Sequence, residues 1–236
     1  KLKDYSSHTL SCYDGVQKGY FMKIIITIIL FTILGCSKVA DVRKAQILGA
    51  KDVSQFATKP IALTKIAAKI RRGTEIGNLY YTVYCHVPIK FTWKSSRTHF
   101  YDLDDLESVF IDELEGNGYT VVGSDENLFE GRDVSGAELL VAARVLKVKV
   151  DMCSPTVPPN EKIHGSLFIE VEWQLYDPFK KEVTAIIKTQ GSHKIEETVS
   201  DGYMLLWDNA FAVATNNLLA NKKFIQLSVS KKKRLN

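Results

Sequence analysis

The sequence lacks the short motifs that mark most catalytic sites. It contains no nucleophile-elbow GxSxG, no GDSGG segment and no glycine-rich phosphate loop. A serine triad could still assemble from distant positions, but Gly191-Ser192-His193 lacks the rest of any such motif. The histidines after residue 76 are scattered without metal-ligand spacing: His86, His99, His164 and His193. The chain is therefore predicted not to be an enzyme and to hold no metal and no cofactor.

A strong excess of one charge is also missing. The formal net charge of +4 is modest and does not indicate a nucleic-acid partner. Apolar residues at 45% and aromatic residues at 10% argue against disorder. About 200 residues follow the first 35, enough for one domain with a real core.

No apolar run reaches the roughly 20 residues that a helix needs to cross a bilayer. The run Ile24–Leu34 follows Met22 and the single charge of Lys23, and it is followed by Gly35 and Cys36. A positive start, a short apolar core and small residues at the end predict a secretory signal peptide over residues 22–35. The alternative is a buried helix or short strand with an incidental cysteine.

The end of this segment resembles the lipobox of bacterial lipoproteins. Ile33-Leu34-Gly35-Cys36 has the pattern of an aliphatic, a variable and a small residue before a cysteine. In that family the peptidase cuts before the cysteine, which then carries the lipid. The resemblance implies lipidation at Cys36 and a membrane anchor in the bacterial cell envelope. Ser37 in place of aspartate implies the outer membrane, facing the periplasm.

Two segments flank the predicted signal. Residues 1–21 show no helical or strand period and no Met at position 1, so they are predicted to be a non-native upstream extension, with translation starting at Met22. Residues 36–75 are predicted to be a basic membrane-proximal tether, because nine basic residues stand against three acidic ones there. Within it, a short helix after Pro60 is one interpretation and a solvated linker the other. Its apolar face would be Ile61, Leu63, Ile66, Ala67 and Ile70.

Residues 76–228 are predicted to form one α+β domain, followed by a basic tail over 229–236. Leu79–Trp93 is rich in β-branched and aromatic residues and predicts one bent strand or two short ones. Alternating patterns predict further strands over Glu138–Val150, Leu167–Tyr176 and Val183–Thr189.

Two apolar stripes at helical spacing complete the domain. The first stripe is Leu103, Leu106, Phe110 and Leu114, and the second is Tyr203, Leu206, Trp207, Ala210, Phe211, Ala214 and Leu218. The order of elements predicts a two-layer sandwich, in which helices cover one face of a mainly antiparallel sheet.

Two cysteines remain in the predicted domain, Cys85 and Cys153. In an exported protein an even pair is more often a disulfide, so a bridge is predicted. In a reducing compartment they would be separate core residues. Neither belongs to a CxxC motif or a Cys/His cluster, which makes metal binding the less favoured interpretation.

The order of elements resembles a periplasmic lipoprotein fold. It is similar to the TolB amino-terminal domain. The shared order is a strand, a helix, antiparallel strands and a final helix, and the first helix ends here in Leu114-Glu115-Gly116-Asn117-Gly118-Tyr119. The lipoprotein CsgG and the outer-membrane activators of penicillin-binding proteins share that fold. Those domains bind other proteins and are not enzymes.

A narrower resemblance covers about residues 77–224. Its motifs include Gly77-Asn78-Leu79, Ala137-Glu138-Leu139-Leu140-Val141, Glu170-Val171-Glu172-Trp173-Gln174-Leu175-Tyr176-Asp177-Pro178 and Asn217-Leu218-Leu219-Ala220-Asn221. This string is similar to the amino-terminal region of proteobacterial envelope proteins that carry a trypsin-like protease domain after it. The protease domain is absent from this sequence, and no protease activity is implied.

Three functions are compatible with these features. The first is a lipid-anchored, non-catalytic protein-interaction or scaffold module that binds an envelope protein or itself. The second is an accessory or regulatory domain of a trypsin-like envelope protease. The third, a lipid- or small-ligand-binding domain, would require a sizeable apolar cavity between sheet and helices.

Overall fold

The computed structural model describes residues 48, 56–93, 103–123, 134–155 and 162–230. Within these residues it contains six strands and three α-helices. The strands are β1 (Ile61–Ala68), β2 (Glu75–Tyr81), β3 (Val87–Thr92), β4 (Leu139–Ser154), β5 (Ile163–Asp177) and β6 (Glu182–Val199). The helices are α1 (Leu106–Gly116), which follows a 3₁₀ turn, α2 (Gly202–Leu219) and α3 (Lys222–Ser228).

The strands form one open mixed sheet in the order β3-β2-β4-β5-β6, with β1 also paired to β4. β1 runs parallel to residues 139–145 of β4, and β2 runs parallel to residues 150–154. Since β5 occupies the other edge of β4, β1 and β2 follow one another along a single edge. The long strands β4, β5 and β6 are antiparallel neighbours.

The helices bury one face of this sheet. Trp173 of β5 lies at the centre of the core, where its ring is 5.7 Å from Phe110 of α1 and 5.5 Å from Phe211 of α2. All members of both predicted apolar stripes are buried. The predicted α+β two-layer arrangement is therefore confirmed.

Both interpretations of the segment after Pro60, a short helix and a solvated linker, are wrong. Residues 61–68 form β1, and Ile61, Leu63 and Ile66 are buried in the core. Apolar spacing in this short segment fits both a helix and an irregular strand, and parallel pairing with β4 decides between them. The folded part of the chain thus includes residues before Ile76.

Two strand predictions are refined. Leu79–Trp93 contains parts of two strands, β2 and β3, joined by the turn at residues 82–86. Pro88 lies in β3, at the end of the sheet order, where a missing N–H is tolerated. β6 extends to Val199, well beyond the predicted end at Thr189.

Candidate functional site

A disulfide ties the β2–β3 turn to the end of β4. Tyr81, the last residue of β2, pairs with Ser154, which places the turn beside Cys153. Cys85 of the turn and Cys153 form the disulfide, with Cα atoms 5.6 Å apart. Both cysteines are buried. The hairpin is thus held to the sheet by a covalent link in addition to strand pairing.

The turn itself has an unusual backbone. Thr82 and Cys85 have φ values of 79° and 50°, a region that residues with a side chain seldom occupy. The Cys85 N–H donates to the Thr82 carbonyl at 2.9 Å, and Thr82 Oγ1 lies 2.9 Å from His86 Nδ1. Such conformations persist only where surrounding contacts impose them, so the turn has a defined shape.

His164 lies directly beside the disulfide. The residue pairs with Cys153 across β4 and β5, and its Nε2 is 3.6 Å from Cys85 Sγ. Its other ring nitrogen, Nδ1, is 2.9 Å from Thr198 Oγ1. Burial lowers the pKa of His164 below its ordinary value, because the charged imidazolium is less well solvated there than in water. Sequence spacing gave no sign of this Cys/His cluster, because the register between β4 and β5 creates it.

Exposed apolar side chains lie on this turn and on β3, the strand that follows it. Val83 and Tyr84 at the tip are each 74% exposed. We call these side chains the apolar end and define it as Val83, Tyr84, Val87 and Ile89, all of which are exposed and lie on the β2–β3 turn or on β3.

A cleft of about 400 Å³ lies elsewhere, beside β6 and α2. Six of its seven lining residues have polar or charged side chains; the lining consists of Leu48, Glu170, Lys188, Thr189, Gln190, Asn217 and Asn221. Asn217 donates to the Gln190 carbonyl at 2.8 Å and accepts from the Leu48 N–H at 2.7 Å. This cleft is not the apolar cavity between sheet and helices that a lipid-binding domain would require.

The remaining predicted residues are distributed as follows. Cys36 and the predicted signal over 22–35 lie outside the described residues, as does His99. His193 lies on β6, opposite Leu167, and does not belong to the Cys/His cluster. In the part of the chain that the structure describes, no helix is both long and apolar enough to cross a membrane.

No protein-family model and no curated protein matches the chain. Several solved structures share similarity with it. A Xanthomonas campestris protein of family DUF330 is 14% identical with a TM-score of 0.41, covering 75% of this chain and 92% of its own. The PelC dodecamer from Paraburkholderia phytofirmans is 11% identical with a TM-score of 0.31, and the match covers 73% of this chain and 93% of the PelC chain. A minor lipoprotein from Acinetobacter baumannii is 12% identical with a TM-score of 0.31, covering 70% and 95%. Because these TM-scores lie below 0.5, we draw no functional conclusion from the likenesses.

Proposed function

We propose that this chain is a lipid-anchored protein of the bacterial cell envelope that binds another envelope protein through the apolar end. Cys36 carries the lipid, and the domain acts in the periplasm as a non-catalytic interaction module. The observation that carries this proposal is the cluster of exposed apolar side chains on a covalently tied hairpin. A protease domain, of the kind that follows the similar region in envelope proteases, is one class of partner that the proposal includes.

The properties of the apolar end favour a protein partner. Grouped exposed apolar side chains mark interaction sites, and tyrosine is enriched in protein interfaces. Because the disulfide fixes the turn, binding requires little further ordering of the hairpin. The tip between Tyr81 and Ile89 contains no Lys or Arg, the residues that attract a surface to anionic lipid. These features favour a protein surface over an anionic bilayer.

Site-specific photocrosslinking in native membranes tests this proposal. A photoreactive amino acid replaces Tyr84 or Val87 in the apolar end, or Phe179 in the β5–β6 turn as the control. Phe179 is a suitable control because it is also aromatic and 77% exposed. We expect the same heterologous protein to be captured from positions 84 and 87 and not from position 179. We also expect Val83→Asp to abolish that product while leaving the amount of folded protein unchanged.

Three outcomes would overturn the proposal. One is labelling of lipid alone from position 84. Another is a product of the chain with a second copy of itself, which would assign the surface to self-association. The third is a set of products that Val83→Asp leaves unchanged or that position 179 captures equally well.

A further inference from the structure

The disulfide and His164 form a cluster of potential metal ligands. Cys85 Sγ, Cys153 Sγ and a ring nitrogen of His164 all lie within 4.8 Å of one another. Pairing of β4 with β5 places Cys153 opposite His164, and pairing of β2 with β4 brings the turn that carries Cys85 beside them. In the oxidised protein the two sulfurs are bonded to each other and are not available as ligands.

The spacing of Cys85 and His164 matches that of two ligands in a tetrahedral zinc site. Two thiolates and one imidazole, with a water in the fourth position, form a known zinc ligand set. Zn–S and Zn–N bonds of about 2.3 and 2.0 Å place neighbouring ligand atoms roughly 3.5 to 4 Å apart. The distance of 3.6 Å between Cys85 Sγ and His164 Nε2 already meets this requirement. Only the two sulfurs have to move apart, by side-chain rotation, once their bond is broken.

The surroundings of His164 also suit a ligand. Metal-binding histidines generally use their second ring nitrogen in a hydrogen bond that fixes the ring. Thr198 Oγ1 supplies this contact to His164 Nδ1 at 2.9 Å, which leaves Nε2 directed at the sulfurs.

We propose that the reduced form of this protein binds one Zn²⁺ through Cys85, Cys153 and His164. A dithiol reductant supplies the two electrons: it opens the Cys85–Cys153 bond by thiol–disulfide exchange and is itself oxidised to a disulfide. Zinc then binds the two cysteine thiolates, and their two protons pass to solvent. The β2–β3 turn is thereby fastened to β4 either by the disulfide or by the metal. This inference does not depend on the proposed interaction partner.

Cobalt and zinc titrations test the site. The full chain is used in detergent with Cys12→Ser and Cys36→Ser, so that Cys85 and Cys153 are its only cysteines. After reduction, removal of the reductant and exclusion of oxygen, we expect Co²⁺ to give a one-to-one complex with thiolate-to-cobalt charge-transfer bands, and Zn²⁺ to displace it. The oxidised protein should give none. Thr198→Val should weaken zinc binding by about 10- to 100-fold, and His164→Ala by more than that. His193→Ala is the matched control and should leave the affinity unchanged.

Several results would refute the zinc site. The first is the absence of charge-transfer bands when Co²⁺ is added to the reduced protein. The second is equal metal binding by the oxidised protein, and the third is an unchanged affinity for zinc in His164→Ala. Near-ultraviolet circular dichroism follows the fold during the titration. If reduction alone abolishes the native spectrum, recovery on adding Zn²⁺ supports the proposal, and failure to recover contradicts it.

Discussion

At the scale of single residues, the contact between β6 and α2 depends on two small residues, Thr189 and Gly191. Thr189 accepts a hydrogen bond from Trp173 Nε1 at 2.7 Å and donates to the Ala214 carbonyl at 2.8 Å, so it connects sheet, core and helix. Gly191 lies two residues after Thr189 on β6, and its lack of a side chain lets the backbone of α2 approach the strand closely. A Cβ at Gly191 would lie 1.8 Å from the Ala210 carbonyl oxygen.

Gly191→Ala should therefore destabilise the protein. The added methyl group meets backbone of α2, which cannot rotate away as a side chain can, so strand and helix must separate. Overpacking of this kind costs about 1 to 3 kcal/mol of unfolding free energy, occasionally more. Urea denaturation followed by tryptophan fluorescence measures the loss. Gly116→Ala is the control, because a Cβ there meets open space. Equal stability of the two variants would contradict the close approach.

At the scale of elements, the disulfide is expected to stabilise the β2–β3 hairpin against the sheet. Cys85 and Cys153 are 68 positions apart in sequence, and closing a loop of that length removes about 4 kcal/mol of chain entropy from the unfolded state. We expect reduction in the presence of a chelator to lower the unfolding free energy by about that amount. The double variant Cys85→Ala/Cys153→Ala should have the lower stability with or without reductant. Reduction that leaves the midpoint of the intact protein unchanged would disprove this role.

The elements also differ in how well their sequences predict them. β5 and α2 have clear periods of 2 and 3.6, and both elements form because each buries one complete face, although β5 begins at Ile163, before the predicted start at Leu167. β1 could not be predicted in this way, because its apolar residues fit a helix equally well and its neighbour β4 lies more than 70 positions away in the sequence. The Cys/His cluster was unpredictable for the same reason. Which residue faces Cys153 depends on the register of β5, and no local pattern near His164 encodes it.

At the scale of the whole molecule, we expect stability to fall as the solution becomes acidic. Burial lowers the pKa of His164 and of His193 below the ordinary value of 6.5. The unfolded chain therefore takes up protons on these residues at a higher pH than the folded chain does, and stability decreases as pH falls through about 6.5. Burial raises the pKa of Asp151 above its ordinary value of 3.8. The folded chain therefore binds this proton at a higher pH than the unfolded chain does, so Asp151 makes the protein more stable as the pH falls toward 3.8.

Urea unfolding at about pH 7.5 and about pH 5.5 measures this dependence. We expect a smaller unfolding free energy at the lower pH, and a smaller difference between the two values in His193→Gln, which cannot titrate. The prediction fails if the wild-type protein is equally stable at both values, or if His193→Gln retains the full difference.

The predicted membrane anchor concerns the whole molecule as well. A lipoprotein signal over residues 22–35 predicts that the protein in its native membrane begins at an acylated Cys36. Intact mass spectrometry of protein purified from that membrane should give this chain plus its acyl groups. The mass should rise by two hydrogen atoms on reduction, because Cys85 and Cys153 become thiols. Cys36→Ser should remain uncleaved and without lipid. A wild-type mass that corresponds to a chain beginning at Lys1 or Met22 and carrying no acyl groups would contradict the predicted lipid anchor and the location in the cell envelope that rests on it. The fold and the proposed zinc site would be unaffected by that result.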